Sequence, residues 1–134
     1  MAIDVAAIAV VMERHPVVCA YLFGSQASGR TSPLSDVDVA VLLEPGVEAP
    51  SLVQADIASD LMLALRRSDV DVVVLGAVAP LLAHRAISTG RLVFCRDDAA
   101  RVRFEVATRR QYFDTQPLRD RQDRALLERW TGGR

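Results

Sequence analysis

A chain of 134 residues, 51% hydrophobic and 25% charged with a net charge of −1, is long enough to bury about two-thirds of its unfolded surface around one core. The near-neutral balance argues against a dedicated nucleic-acid binder, no apolar run approaches the length needed to span a bilayer, and the composition carries no low-complexity or disordered bias. The opening MAIDVAAIAVVMERH contains Asp4 and lacks a basic start, so it reads as a helix rather than a signal peptide, and the expected compartment is the cytoplasm.

In chain order the pattern predicts a helix over 3–14 and a strand over 17–24, built on the apolar run Val17 to Phe23. A loop with a short helix leads to a strand over 36–43. A helix follows over 51–67, with Ser51 as its N-cap after Pro50 and Leu52, Ile57, Leu61 and Leu65 spaced for one apolar face. Next come a strand over 70–75, a helix over 80–89 opened by Pro80, a strand over 91–96, and helical segments to the end, with Pro117 breaking the helix between Asp114 and Leu118. This alternation predicts a single α/β (α+β) domain over 1–134, a mixed sheet of about four strands flanked by helices. Cys19 and Cys95 lie in apolar, strand-like runs and show neither metal-ligand spacing nor a disulfide framework, so both are expected to be buried thiols.

The chemistry concentrates in YLFGSQASGRTSPLSDVDVAVLL. Gly24 ends the first strand and allows a sharp turn with close approach of backbone to a ligand, while Ser25 adds a hydroxyl and an N–H suited to phosphate oxygens. Ten residues further on stand Asp36 and Asp38. In a strand these two project from one face about 7 Å apart, and paired carboxylates of that kind suit a divalent cation carrying a nucleotide triphosphate. Arg30, in the loop between them, could contact phosphate or face solvent; both readings stay open.

The Gly24-Ser25, Asp36 and Asp38 pattern resembles the GSx10DxD signature of the polymerase-β-like nucleotidyltransferases, in particular their minimal single-domain members. VDVVVL at 70–75, PLLAHRAISTGRLVFCRD at 80–97 and RVRFEVATRRQYFD at 101–114 extend the resemblance over nearly the whole chain. It implies a palm-like core, two Mg²⁺ ions and ATP as substrate. Members of this group are typically encoded beside a HEPN-domain ribonuclease toxin as its antitoxin, which implies transfer of AMP to a hydroxyl of that partner, a tyrosine being expected. Two metal ions need a third carboxylate. SDVDVVVL at 68–75 offers Asp69 and Asp71, and since the family's third acid opens its hydrophobic run directly, the role is expected of Asp71, with Asp69 a solvated strand start.

His84 has no Cys, Asp or Glu at ligand spacing, so a packing or surface role is expected; Arg85 on the same helix could approach a nucleotide or partner. From Asp97 to Arg134 arginines are interleaved with Val102, Phe104, Val106, Tyr112, Phe113 and Trp130. The segment over about 98–134 is therefore expected to be helical and to bind a partner, because Tyr, Trp and Arg favour interfaces. Either this segment or an edge strand could also support a homo- or hetero-oligomer. Two competing functions share the motif. One is a binding module that neutralises by occlusion; the other is a small-molecule nucleotidyltransferase of the aminoglycoside-modifying type, for which the chain leaves little room to frame the acceptor.

Overall fold

The structure, a computed structural model, describes residues 3–23, 37–78, 80–118 and 121. It contains α1 (Val5–Glu13), β1 (Val17–Phe23), β2 (Val37–Leu43), α2 (Pro50–Leu65), β3 (Val70–Val74), α3 (Pro80–Thr89), β4 (Arg91–Cys95) and α4 (Asp98–Asp114). The four strands form one sheet in the order β3-β2-β1-β4. β1 runs antiparallel to both β2 and β4, whereas β3 runs parallel to β2 after the crossover through α2. The expected mixed α/β sheet is therefore present, and each predicted element between 3 and 96 appears within about two residues of its expected bounds, the loop between β1 and β2 lying outside the described residues.

Local chemistry accounts for most of the helix ends. Asp4 accepts a hydrogen bond from the Ala7 N–H at 3.1 Å and so caps α1, and Asp97 does the same for α4 through the Ala100 N–H at 3.0 Å. The far end of α1 is held by Arg96, whose guanidinium donates to the carbonyls of Glu13 at 2.9 Å and His15 at 3.0 Å. α2 departs from expectation. Its cap position is Ala49, without a side-chain bond, and Pro50 opens the helix with Ser51 already inside it; proline's fixed φ and missing N–H suit the first turn. Arg66 closes α2 in the left-handed region at φ 56°. Between α3 and β4, Gly90 packs so tightly that a Cβ there would collide with the Ala86 carbonyl oxygen, so only glycine fits this turn. α4 ends at Asp114, with Thr115 as its cap, as expected from Pro117.

Alternation along the strands divides the core in two. On one face Ala20, Leu22, Val37, Val39, Val41, Val70 and Val72 pack against Ile8, Val11 and Met12 of α1 and Ile57 and Leu61 of α2. On the other Cys19, Tyr21, Ala40 and Leu75 pack against Ala83, Ala86 and Ile87 of α3, with Phe104 of α4 at the margin. Leu52, expected on the buried face of α2, is 66% exposed instead; it lies in the first turn, beyond the rim of the sheet-covering stripe through Ile57 and Leu61. At the outer edge of β3, Gln54 of α2 donates its Nε2 to the Val72 carbonyl at 2.5 Å.

Candidate functional site

Phe23, Asp38 and Asp71 are neighbours in one row across β1, β2 and β3: Phe23 pairs with Asp38, and Asp38 pairs in register with Asp71. Adjacent strands lie about 4.8 Å apart, and side chains in register project from the same face. That face is the one covered by α3 and α4, since the next row inward, Tyr21, Ala40 and Val73, belongs to their cluster. The row closes the sheet at the C-terminal end of β1 and the N-terminal ends of β2 and β3. Asp38 is half-buried and Asp71 is exposed, so the carboxylates stand at the rim of the core, where solutes can reach them.

Asp69 has a different fate. Arg67 donates from Nε to Asp69 Oδ1 and from Nη2 to Asp69 Oδ2, both at 2.6 Å. This two-pronged pairing occupies both carboxylate oxygens, and the Arg67 hydrogen bonds hold the Asp69 carboxyl below its ordinary range. The Asp69 carbonyl also accepts from the Val37 N–H at 2.7 Å, which starts the β2–β3 ladder. Asp69 thus fastens the turn after α2 to the sheet, a tighter role than the solvated strand start expected of it.

Gly24, Ser25, Arg30 and Asp36 lie outside the described residues. Among those described, no group of three or more His, Cys, Asp or Glu side chains is placed to hold a metal ion; Asp38 and Asp71 supply a pair. Their donor set is all carboxylate oxygen, the chemistry a hard divalent cation takes, and two like charges on neighbouring strands favour such an ion between them.

The remaining residues singled out from the sequence fall elsewhere. His84 stacks on Tyr112 of α4 with ring centroids 3.7 Å apart and meets Phe113 edge-on at 6.4 Å, so it packs α3 onto α4. Arg85 is exposed. A polar chain that sequence reasoning missed runs beneath α4: the Tyr21 hydroxyl donates to Glu105 Oε2 at 2.6 Å, and Arg101 Nη1 donates to the same oxygen at 3.1 Å. Burial, then the bond to Glu105, pushes the Tyr21 phenol upward. The signal available was a lone tyrosine inside the apolar β1 run, which needs a buried acceptor.

A family model described as Polymerase beta, Nucleotidyltransferase matches residues 6–99. No curated protein matches the sequence significantly. Among solved structures, a chain of a toxin–antitoxin complex with AMP-PNP is 24% identical, with a TM-score of 0.79 over 92% of this chain and 98% of its own. A chain of the MntA–HepT toxin–antitoxin is 22% identical, with a TM-score of 0.71 over 92% and 96%. A chain from the tri-AMPylated Shewanella oneidensis HEPN toxin in complex with MNT antitoxin is 21% identical, with a TM-score of 0.68 over 91% and 97%. At these identities the likeness is one of fold.

Proposed function

The chain belongs to the polymerase beta nucleotidyltransferase family, and from that premise we propose that it is an antitoxin that binds a HEPN-type toxin and transfers AMP from ATP to a hydroxyl of it, a tyrosine being the expected acceptor. The observation that carries this reading is the in-register pair Asp38 and Asp71 at the rim of the sheet. The solved structures of like fold support it, since one contains AMP-PNP and another an AMPylated HEPN toxin beside an MNT antitoxin.

In this reading Asp36, Asp38 and Asp71 hold Mg²⁺, two ions being expected. When bound, the metal neutralises triphosphate charge and lowers the pKa of the acceptor hydroxyl. Ser25 and the Gly24 backbone bind the β- and γ-phosphates, with Arg30 as a further phosphate contact, and leave the α-phosphorus open. Asp71, the exposed member of the pair, accepts the hydroxyl proton as the acceptor oxygen forms its bond to the α-phosphorus and the bond to the departing pyrophosphate breaks. The protein's contribution is position and charge, so its carboxylates matter more than the Ser25 hydroxyl. The reading entails a cytoplasmic location, where ATP is; among the described residues no helix is long and apolar enough to cross a membrane.

The C-terminal segment, about 98–134, is the proposed partner surface. On α4 the outward residues Val102, Val106 and Phe113 are 47%, 48% and 59% exposed, and their spacing of four and seven aligns them in one stripe. Arg103 and Arg110 line one side of it, exposed and without an ion-pair partner among the described residues. An apolar stripe edged by arginines fits a partner with a complementary acidic, apolar face.

The test is the intact mass of a co-expressed HEPN-domain toxin after incubation with this chain, ATP and Mg²⁺. Increments of AMP that vanish with Asp38→Ala/Asp71→Ala support the reading. Tight binding without an increment would replace it with occlusion, and no binding would redirect it to small-molecule acceptors.

A further inference from the structure

We propose that Cys19 and Cys95 are a thiol pair built to form a reversible cross-strand disulfide, a redox-modification site on the α3/α4 side of the sheet. The inference stands apart from the nucleotidyl-transfer reading. The two residues are 76 positions apart in sequence yet are Cα partners on the antiparallel strands β1 and β4. The Arg96 N–H donates to the Val18 carbonyl at 2.7 Å, which makes Val18 and Arg96 the hydrogen-bonded pair and leaves Cys19 and Cys95 in the adjacent non-hydrogen-bonded position. There Cα atoms approach to about 4.5 Å with side chains on one face, inside the range of about 4.4–6.8 Å that a disulfide spans.

Their surroundings agree. Both are free thiols, and both belong to the same core cluster. Their present contacts are those of thiols: Cys19 Sγ lies 3.9 Å from the Tyr21 hydroxyl, and Cys95 Sγ donates to Asp98 Oδ1 at 3.2 Å, with the Arg101 side chain and the Asp97 backbone also beside it. At such a Cα separation the two side chains lie within the reach that a disulfide needs. Cys19 is fully buried, whereas Cys95 is only half-buried, so an oxidant meets Cys95 first.

The step balances with a low-molecular-weight disulfide as oxidant. The Cys95 thiol loses its proton to solvent, and its sulfur attacks the reagent, breaking that S–S bond and expelling one thiolate, which takes up a proton. Cys19 then loses its proton, and its sulfur attacks Cys95 Sγ in the mixed disulfide, forming the protein disulfide and expelling the second thiolate. Two protein thiols are oxidised and one reagent disulfide is reduced to two thiols. In a reducing compartment such a pair is transient rather than structural, and because burial pushes both thiols upward the exchange is slow at neutral pH.

The experiment treats the full chain with glutathione disulfide, alkylates what remains, and reads intact mass and an arginine-specific digest. The expected result is a loss of about 2 Da, reversed by dithiothreitol, with the peptide His15–Arg30 joined to Leu92–Arg96. Cys19→Ala should halt the sequence at a lasting glutathione adduct on Cys95, and Cys95→Ala should give no adduct. If Cys19→Ala fails to fold, the linked wild-type peptides decide the matter alone. Two alkylatable thiols after treatment, an adduct on Cys95 that never resolves in the wild type, or a link between two chains would each overturn the proposal.

Discussion

The two faces of the sheet are built by opposite rules. Beneath α1 and α2 the buried residues are aliphatic throughout, and Ile8, Met12, Ile57 and Leu61 have no exposed surface. Beneath α3 and α4 the layer is thinner and carries polar groups: Tyr21, two thiols, and the Glu105 and Arg101 side chains that satisfy the phenol. Asp38 and Asp71 stand on this second face. The comparison shows a division of labour in which one side supplies hydrophobic stability and the other tolerates buried polar atoms so that carboxylates can be presented at its rim.

The largest effect expected from breaking this division is on activity. Asp71→Asn and Asp38→Asn should each lower AMP transfer by on the order of 10²–10³-fold with unchanged circular dichroism, while Asp69→Asn, which only loosens the Arg67 pair, should leave most activity. Equal losses at 69 and 71 would overturn the assignment. On the aliphatic face, Leu61→Ala should cost about 2–5 kcal/mol in urea unfolding. On the polar face Tyr21→Phe should cost about 1–3 kcal/mol, since it strips one partner from a half-buried carboxylate; a larger loss than at Leu61 would invert the comparison.

The polar face also predicts how stability changes with pH. Burial pushes the Cys19 thiol from its ordinary 9.0 up to about 12, and the Tyr21 phenol is moved upward too. The native state keeps these protons where the unfolded chain releases them. Their contribution is therefore fully present below pH 9 and declines as pH rises from there toward about 12. Urea midpoints measured at about pH 8 and about pH 10.5 should fall with rising pH, and fall less in Tyr21→Phe. Smallest of all, Val106→Asp and Phe113→Ser on the outer side of α4 should change stability by no more than about 0.5 kcal/mol, yet weaken toxin binding at least tenfold in a titration.

Much of this was legible in the sequence because local rules governed it. Strand β1 followed from an uninterrupted apolar run, β2 from an apolar run broken only by Asp38, α3 from Pro80, and the end of α4 from Pro117. Asp71 lies in register opposite Asp38, a pairing that is a tertiary fact. What escaped the sequence was non-local. The Ser51 cap failed because Pro50 took the first helical position, and the opposition of Cys19 and Cys95 depends on a strand pairing that no spacing encodes. The Tyr21 and Glu105 bond spans 84 positions and pairs residues from unlike elements.

One small contact on the quiet side of the molecule bears on how the protein survives at high concentration. The Val37 N–H to Asp69 carbonyl and Leu75 N–H to Val41 carbonyl bonds turn the odd-numbered groups of β3 toward β2, so the even-numbered groups face outward along an edge that no further strand among the described residues covers. Such an edge is a template on which another chain's strand can grow. Gln54 sits over the middle of it and engages the Val72 carbonyl. A single glutamine on a helix thereby occupies one of the edge acceptors that an incoming strand would need.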